Sequence, residues 1–177
     1  MTERMTNILG WLVLLAVMLG LWTLFGEGLR TSHIGRNEPL FPNFSQTREE
    51  ISFMSISDDT MTVPLLKNEG VWAFAEGTVI NQDTMKAFLL GLKKSVRREP
   101  KIGNTMRGAR DDLGVETPIS VAFYNQDNDL ILAFSVGLYI PAADGTGLTY
   151  VLVAGEDKAW LVDALPRIEA TPDFWSQ

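Results

Sequence analysis

The sequence predicts an α+β domain, a mostly antiparallel sheet with one main amphipathic helix and a short second helix, preceded by a single transmembrane helix. Three observations predict it. Short apolar runs bounded by turn residues fill residues 51–75 and 119–162, the clearest of them alternating with period two. Between the two groups the apolar spacing becomes helical. Ahead of both lies a long uncharged window. Strands, then a helix, then strands again is the order of an α+β fold rather than of regular βα alternation.

The uncharged window comes first in the chain. No charged residue occurs from Met5 to Gly26 (MTNILGWLVLLAVMLGLWTLFG). As a helix this run extends about 33 Å, against a hydrocarbon core of about 30 Å. Trp11 and Trp22 stand toward its two ends, where an indole suits the lipid–water interface. The run is longer than the apolar core of a signal peptide, and Phe25-Gly26-Glu27-Gly28 is a poor cleavage site. The expectation is an uncleaved anchor over residues 1–26. It holds no ionisable group, so it is a tether rather than an ion path. Arg4 on one flank and Arg30 and Arg36 on the other barely discriminate orientation, with a slight lean against translocating the C-terminal part. Residues 27–40, polar and ending near Pro39, are expected as a linker, and residues 41–177 as the soluble domain.

Within that domain, Ile51–Ile56 reads as a strand followed by an Asp58-Asp59 turn. Met61–Lys67 is a second strand, in which Pro64 points to an edge position or a break. Val71–Ala75 is a third, with Trp72 and Phe74 on one face. Asn81 can cap a helix, with Asp83 in the first turn. Met85, Phe88, Leu89, Leu92 and Val96 follow at helical spacing, and Pro100 stops the helix. A short helix is expected over Asn104–Leu113, closed by Gly114. Strands return with Ile119–Tyr124, a turn over residues 125–129, and a longer strand Leu130–Ile140 bent near Gly137. A loop from Pro141 to Gly147 leads to strands at Leu148–Ala154 and Lys158–Val162.

Composition narrows the chemistry. The 177 residues carry 15 Lys and Arg against 22 Asp and Glu, one His and no Cys, and 46% are hydrophobic. That content is too apolar for a disordered chain. Without Cys there is no disulfide, zinc–thiolate site, iron–sulfur cluster or cysteine nucleophile. One His excludes a multi-histidine metal site within the chain. His33 falls in the linker and no G-x-S-x-G occurs, so a serine triad is not indicated. Asp127-Asn128-Asp129 has the wrong spacing for a calcium loop, and Gly145-Thr146-Gly147 lacks the helix of a nucleotide loop. The pairs Asp58-Asp59 and Asp111-Asp112 sit in turns or at a helix end, where adjacent carboxylates point to water. Trp72, Phe74, Tyr150 and Trp160 read as core or cross-strand residues ahead of cleft-lining ones. No catalytic, cofactor-binding or metal-ligating residue is therefore expected.

The strongest patterning is in charge. Lys86, Lys93, Lys94, Arg97, Arg98, Lys101, Arg107 and Arg110 lie within 25 residues that hold one acid, Glu99, so this segment is +7 in a chain of net charge -7. The candidate docking residues are Lys86, Lys93, Lys94, Arg97, Arg98 and Lys101, facing anionic headgroups or an acidic partner. Each cation near an anionic bilayer contributes about 1 kcal/mol. The alternative is a solvated face that balances the domain's own acids. Nucleic acid is disfavoured by the anchor, the acidic total and the lack of interleaved stacking aromatics.

The order of motifs carries a resemblance. After the apolar anchor come Phe41-Pro42, a strand ending at Ile56, Trp72-x-Phe74, and a helix rich in leucine and basic residues. Then come Leu113-Gly114, Pro118 opening a strand, Tyr150, Trp160-Leu161-Val162 and Phe174-Trp175. From Phe41 onward this order resembles an uncharacterised bacterial domain family, often membrane-anchored and often encoded beside ABC transporters of the gliding-motility type. The matching positions are mainly apolar or turn residues, and the family has no established catalytic residues to transfer. The resemblance implies a bacterial inner-membrane protein with its domain outside the cytoplasm, in a larger complex of the ABC-transporter-associated kind. The expectation is a non-enzymatic accessory subunit acting by protein–protein contact. The alternative is a tethered binding module for a lipid, glycan or peptide.

Overall fold

A computed structural model describes residues 37–101, 113–141 and 147–176. The chain divides into two units, Met1–Arg36 and Asn37–Gln177. The expected span over residues 5–26 and His33 lie outside the described residues, as do Arg107, Arg110, Asp111 and Asp112. Among the described residues no helix is long and apolar enough to cross a membrane.

The second unit is α+β, with a mostly antiparallel sheet and few helices. A one-turn helix, α1 (Phe44–Thr47), runs into a 3-10 turn, Arg48–Glu50. The strands β1 (Phe53–Ser57), β2 (Thr62–Asn68) and β3 (Val71–Phe74) follow as a meander. Helix α2 (Gln82–Lys94) then leads to β4 (Arg97–Pro100). A second meander comprises β5 (Ile119–Tyr124), β6 (Leu130–Pro141), β7 (Gly147–Val153) and β8 (Trp160–Asp163). Helix α3 (Pro172–Ser176) ends the described chain. The sheet order is β3-β2-β1-β5-β6-β7-β8-β4, every pairing being antiparallel. The chain thus builds outward from β1 to one edge, crosses through α2 to the other edge, and fills the middle from β5 to β8.

Alternation sets the inner face. Met54, Ile56, Val63, Leu65, Val121, Phe123, Phe134 and Val136 are buried, each separated from the next by an outward residue. Helix α2 covers this face with Met85, Phe88, Leu89 and Leu92. The Phe88 ring stacks on Phe123 at 6.4 Å and meets Trp175 edge-on at 5.7 Å. Trp175 is fully buried, and its indole N–H donates to the Glu169 carbonyl at 3.0 Å. Its own carbonyl accepts from the Asn81 N–H at 2.7 Å, tying the C-terminal segment to the start of α2. Asn81 caps that helix, its side chain accepting from the N–H groups of Asp83 (2.9 Å) and Thr84 (3.1 Å).

Two expectations need correction, the end of helix α2 and the start of the compact unit. Helix α2 stops at Lys94, not at Pro100. Ser95 turns the chain, its hydroxyl donating to the Gly91 carbonyl at 2.7 Å, and Arg97–Pro100 pair with β8. Non-local pairing there overrides the helical spacing, and Val96 bridges Pro39 instead of extending the helix face. Strand β2 lies between β3 and β1, but β3 pairs only from Leu65 onward, so Pro64 holds the expected edge position with β1 as its only partner strand. Finally, the compact unit begins at Asn37, because residues 37–40 are strand-paired and Leu40 is buried. Of the helix expected over residues 104–113, only Leu113 is among the described residues. The bend expected in the long strand is a register shift between Val136 and Tyr139, around Gly137.

Candidate docking surface

The edges of the sheet are covered from within the chain at β3 and at the start of β4. At β3, the Gln82 side chain acts as a short stretch of strand. Its Oε1 accepts from the Trp72 N–H at 3.0 Å, and its Nε2 donates to the carbonyls of Trp72 (2.7 Å) and Ile80 (2.9 Å). At β4, the leading segment adds in antiparallel fashion. Asn37 N–H donates to Arg97 O (2.7 Å), Arg97 N–H to Glu38 O (2.9 Å) and Leu40 N–H to Ser95 O (2.8 Å). Edge strands with free N–H and C=O groups invite pairing with other chains, and here β3 and the start of β4 are covered against it. The chain therefore enters the domain as part of its sheet, and Leu40, Phe41 and Phe44 continue directly into the core.

The six basic candidates are not one helical face. Lys86, Lys93 and Lys94 are exposed on α2, whereas Arg97 and Arg98 belong to β4. Arg97 makes a two-point contact with Glu156, Nη1–Oε2 at 3.1 Å and Nη2–Oε1 at 2.5 Å. Its guanidinium lies 5.0 Å from the Trp160 ring centroid, and Trp160 Nε1 also donates to Glu156, at 3.0 Å. Arg98 is paired with Asp163 and donates to Asn37 Oδ1 at 3.1 Å. Lys101 places its ammonium 4.6 Å from the Tyr150 ring centroid. Lys86 pairs with Asp83 at 3.1 Å on the surface. Half of the set thus serves the far edge of the sheet. Lys93 and Lys94 stand in the last turn of α2, where cations suit the helix dipole.

The outer face of the sheet carries a different feature. Strand register aligns Val79, Ala73, Leu66, Phe53, Tyr124 and Leu130 in one row across six segments. Val79 and Leu130 at its ends are 59% and 57% exposed, and Leu66, Phe53 and Tyr124 between them are half-buried. The Phe53 and Tyr124 rings lie 5.4 Å apart. The next row is Pro64, Ser55, Ala122 and Ala133, and the next Thr62, Ser57, Ser120 and Ser135. None of these outward positions is charged. Their short side chains leave a shallow depression of about 240 Å³ over β5, β6 and β7, with Glu156 also in its lining. A partner meeting the three rows themselves would dehydrate apolar and hydroxyl groups without burying a charge. The row was not legible in the sequence, because its members are far apart in the chain and only register brings them together.

The remaining predicted residues take local roles. Asp58 Oδ1 accepts from the Thr60 hydroxyl (2.7 Å) and from the N–H groups of Thr60 (2.7 Å) and Met61 (2.9 Å). These hydrogen bonds, that from the Thr60 hydroxyl first, hold its pKa below the ordinary 3.8. Asn125 and Asp129 close the hairpin around Asn128, which has φ 64°. Trp72, Phe74 and Trp160 are buried, while Tyr150 is half-buried. Among the described residues no group of three or more His, Asp and Glu side chains is placed to hold a metal ion. Comparison with protein-family models, curated proteins and solved structures gives no match, so the site is argued from its own geometry.

Proposed function

We propose that this protein is a membrane-tethered, non-enzymatic accessory subunit of a bacterial membrane-protein complex that acts by protein–protein contact. The observation that carries this reading is the uncharged apolar row from Val79 to Leu130 on the outer face of the sheet. Its occupant is an apolar, uncharged protein surface, since a charged one would lose solvation there without compensation. The anchor over residues 5–26, a location at the inner membrane with the domain outside the cytoplasm, and an ABC-type transporter as the neighbour all belong to the proposal. They rest on the apolar window and on the motif order.

The test is purification from membranes in mild detergent of the wild-type chain and of a Leu130→Asp variant. The wild type is expected to bring a membrane protein in stoichiometric amount, and the variant to lose it while staying folded. Equal recovery with both would remove the outer face as the contact. The tethered binding module is a second reading, favoured by one observation, a cavity beside β3.

A further inference from the structure

A cavity of about 230 Å³ lies between the 3-10 turn, the β2–β3 turn and the first half of α2. Its floor is apolar, made of Ile51, Trp72, Met85 and Leu89, all buried. Its rim is cationic: Arg48, Lys67 and Lys86 all line it, against a single lining acid, Glu49. Lys67 lies directly across from Trp72 in the β2–β3 register and is half-buried. Lys86 is held by Asp83 in a pair whose side chains are 72% and 91% exposed, a contact worth little in water. Among the described residues no ion pair engages Arg48 or Lys67. The Gln82 amide beside them makes three hydrogen bonds in closing the β3 edge. Polar recognition in the cavity therefore falls to cations, which only donate. In a chain of net charge -7, Arg48 and Lys67 bring two cations without a paired acid to the rim of an apolar floor.

We propose that this cavity binds a small amphiphilic anion, a monocarboxylate with a short apolar tail. The tail occupies the floor over Trp72 and Met85, and the carboxylate meets Lys67 and Arg48 at the rim. At about 30 Å³ for each water-sized group, the volume holds roughly seven or eight non-hydrogen atoms, the size of a six-carbon acyl chain. For so small a ligand the expected Kd is on the order of 1 mM. The site is independent of the outer-face contact, which lies on the opposite side of the sheet, so either can fail without the other.

The experiment uses the full chain in lipid nanodiscs with carbon-13 methyl-labelled methionine, the Met85 signal being assigned with a Met85→Leu variant. Hexanoate, hexanol and inorganic phosphate are titrated in turn. The expected result is a saturable shift of the Met85 methyl with hexanoate alone. Lys67→Gln combined with Arg48→Gln should weaken hexanoate by about tenfold or more, as charge-assisted hydrogen bonds are lost. Lys86→Gln, at an exposed position, gives a second variant that leaves the fold untouched, with a smaller loss expected. No saturable Met85 shift with hexanoate would overturn the proposal. So would hexanol binding as well as hexanoate, phosphate competing with it, or affinity unchanged in all the rim variants.

Discussion

Gly91 faces the chain where it returns from β8, and a Cβ there would stand 2.5 Å from Pro166 Cδ and 2.7 Å from the Ala164 carbonyl oxygen. Gly137 is closed in the same way by the backbone of Leu113. Both are close approaches of backbone to backbone, so neither neighbour can yield cheaply. Gly91→Ala is expected to destabilise the domain by about 1–3 kcal/mol although it raises helix propensity, as read by urea unfolding. An unchanged or raised midpoint would show that α2 is not seated on residues 164–166. Asp58 supplies a pH-dependent prediction. Its pKa is depressed in the fold, so its contribution to stability is complete above the ordinary value of 3.8 and fades as pH falls through the lower folded value. Asp58→Ala should therefore lower the melting temperature at neutral pH. The gap to wild type should narrow only below about pH 4. A gap independent of pH would assign the effect to turn geometry alone.

At the scale of elements, the lead-in segment makes the sharpest claim. Leu40 is buried and its N–H is bonded to Ser95 across the β4 edge. Leu40→Ala should cost about 2–5 kcal/mol in equilibrium unfolding, the range for a buried leucine. A cost near zero would return residues 37–40 to the role of a linker. Most of the strands, the Asn81 cap and the core positions of α2 were legible in the sequence, because alternation, turn residues and helical spacing are local signals. Strand β4 was not. Arg97-Arg98-Glu99-Pro100 has no apolar alternation, and it is a strand only because β8 and residues 37–38 flank it. The cue was present in Lys93 and Lys94, cations of the kind that mark a helix's last turn, followed by Ser95. The division of the basic set between α2 and the β4 edge was hidden for the same reason. Linear clustering of charge did not reveal that Glu156, Asp163 and Tyr150 would come to meet Arg97, Arg98 and Lys101.

Across the whole domain, charge and apolar surface are separated along the sheet. The β4–β8 end carries the ion pairs of Arg97 and Arg98, while the outward positions on β2, β1, β5 and the facing part of β6 are uncharged. Strand β3 and the start of β4 are covered from within the chain, and the outer face of the sheet is an uncharged surface open to association. The central claim is that this face meets a membrane-protein neighbour. It is tested most directly by site-specific photo-crosslinking in native membranes, with the reactive group placed at Leu130 in one chain and at Lys93 in another. Both positions are exposed and neither change should disturb the core. A single dominant crosslink to a membrane protein is expected from position 130 and none from position 93. A crosslink from position 93 with none from position 130 would contradict it, placing the contact on the basic end of α2 instead.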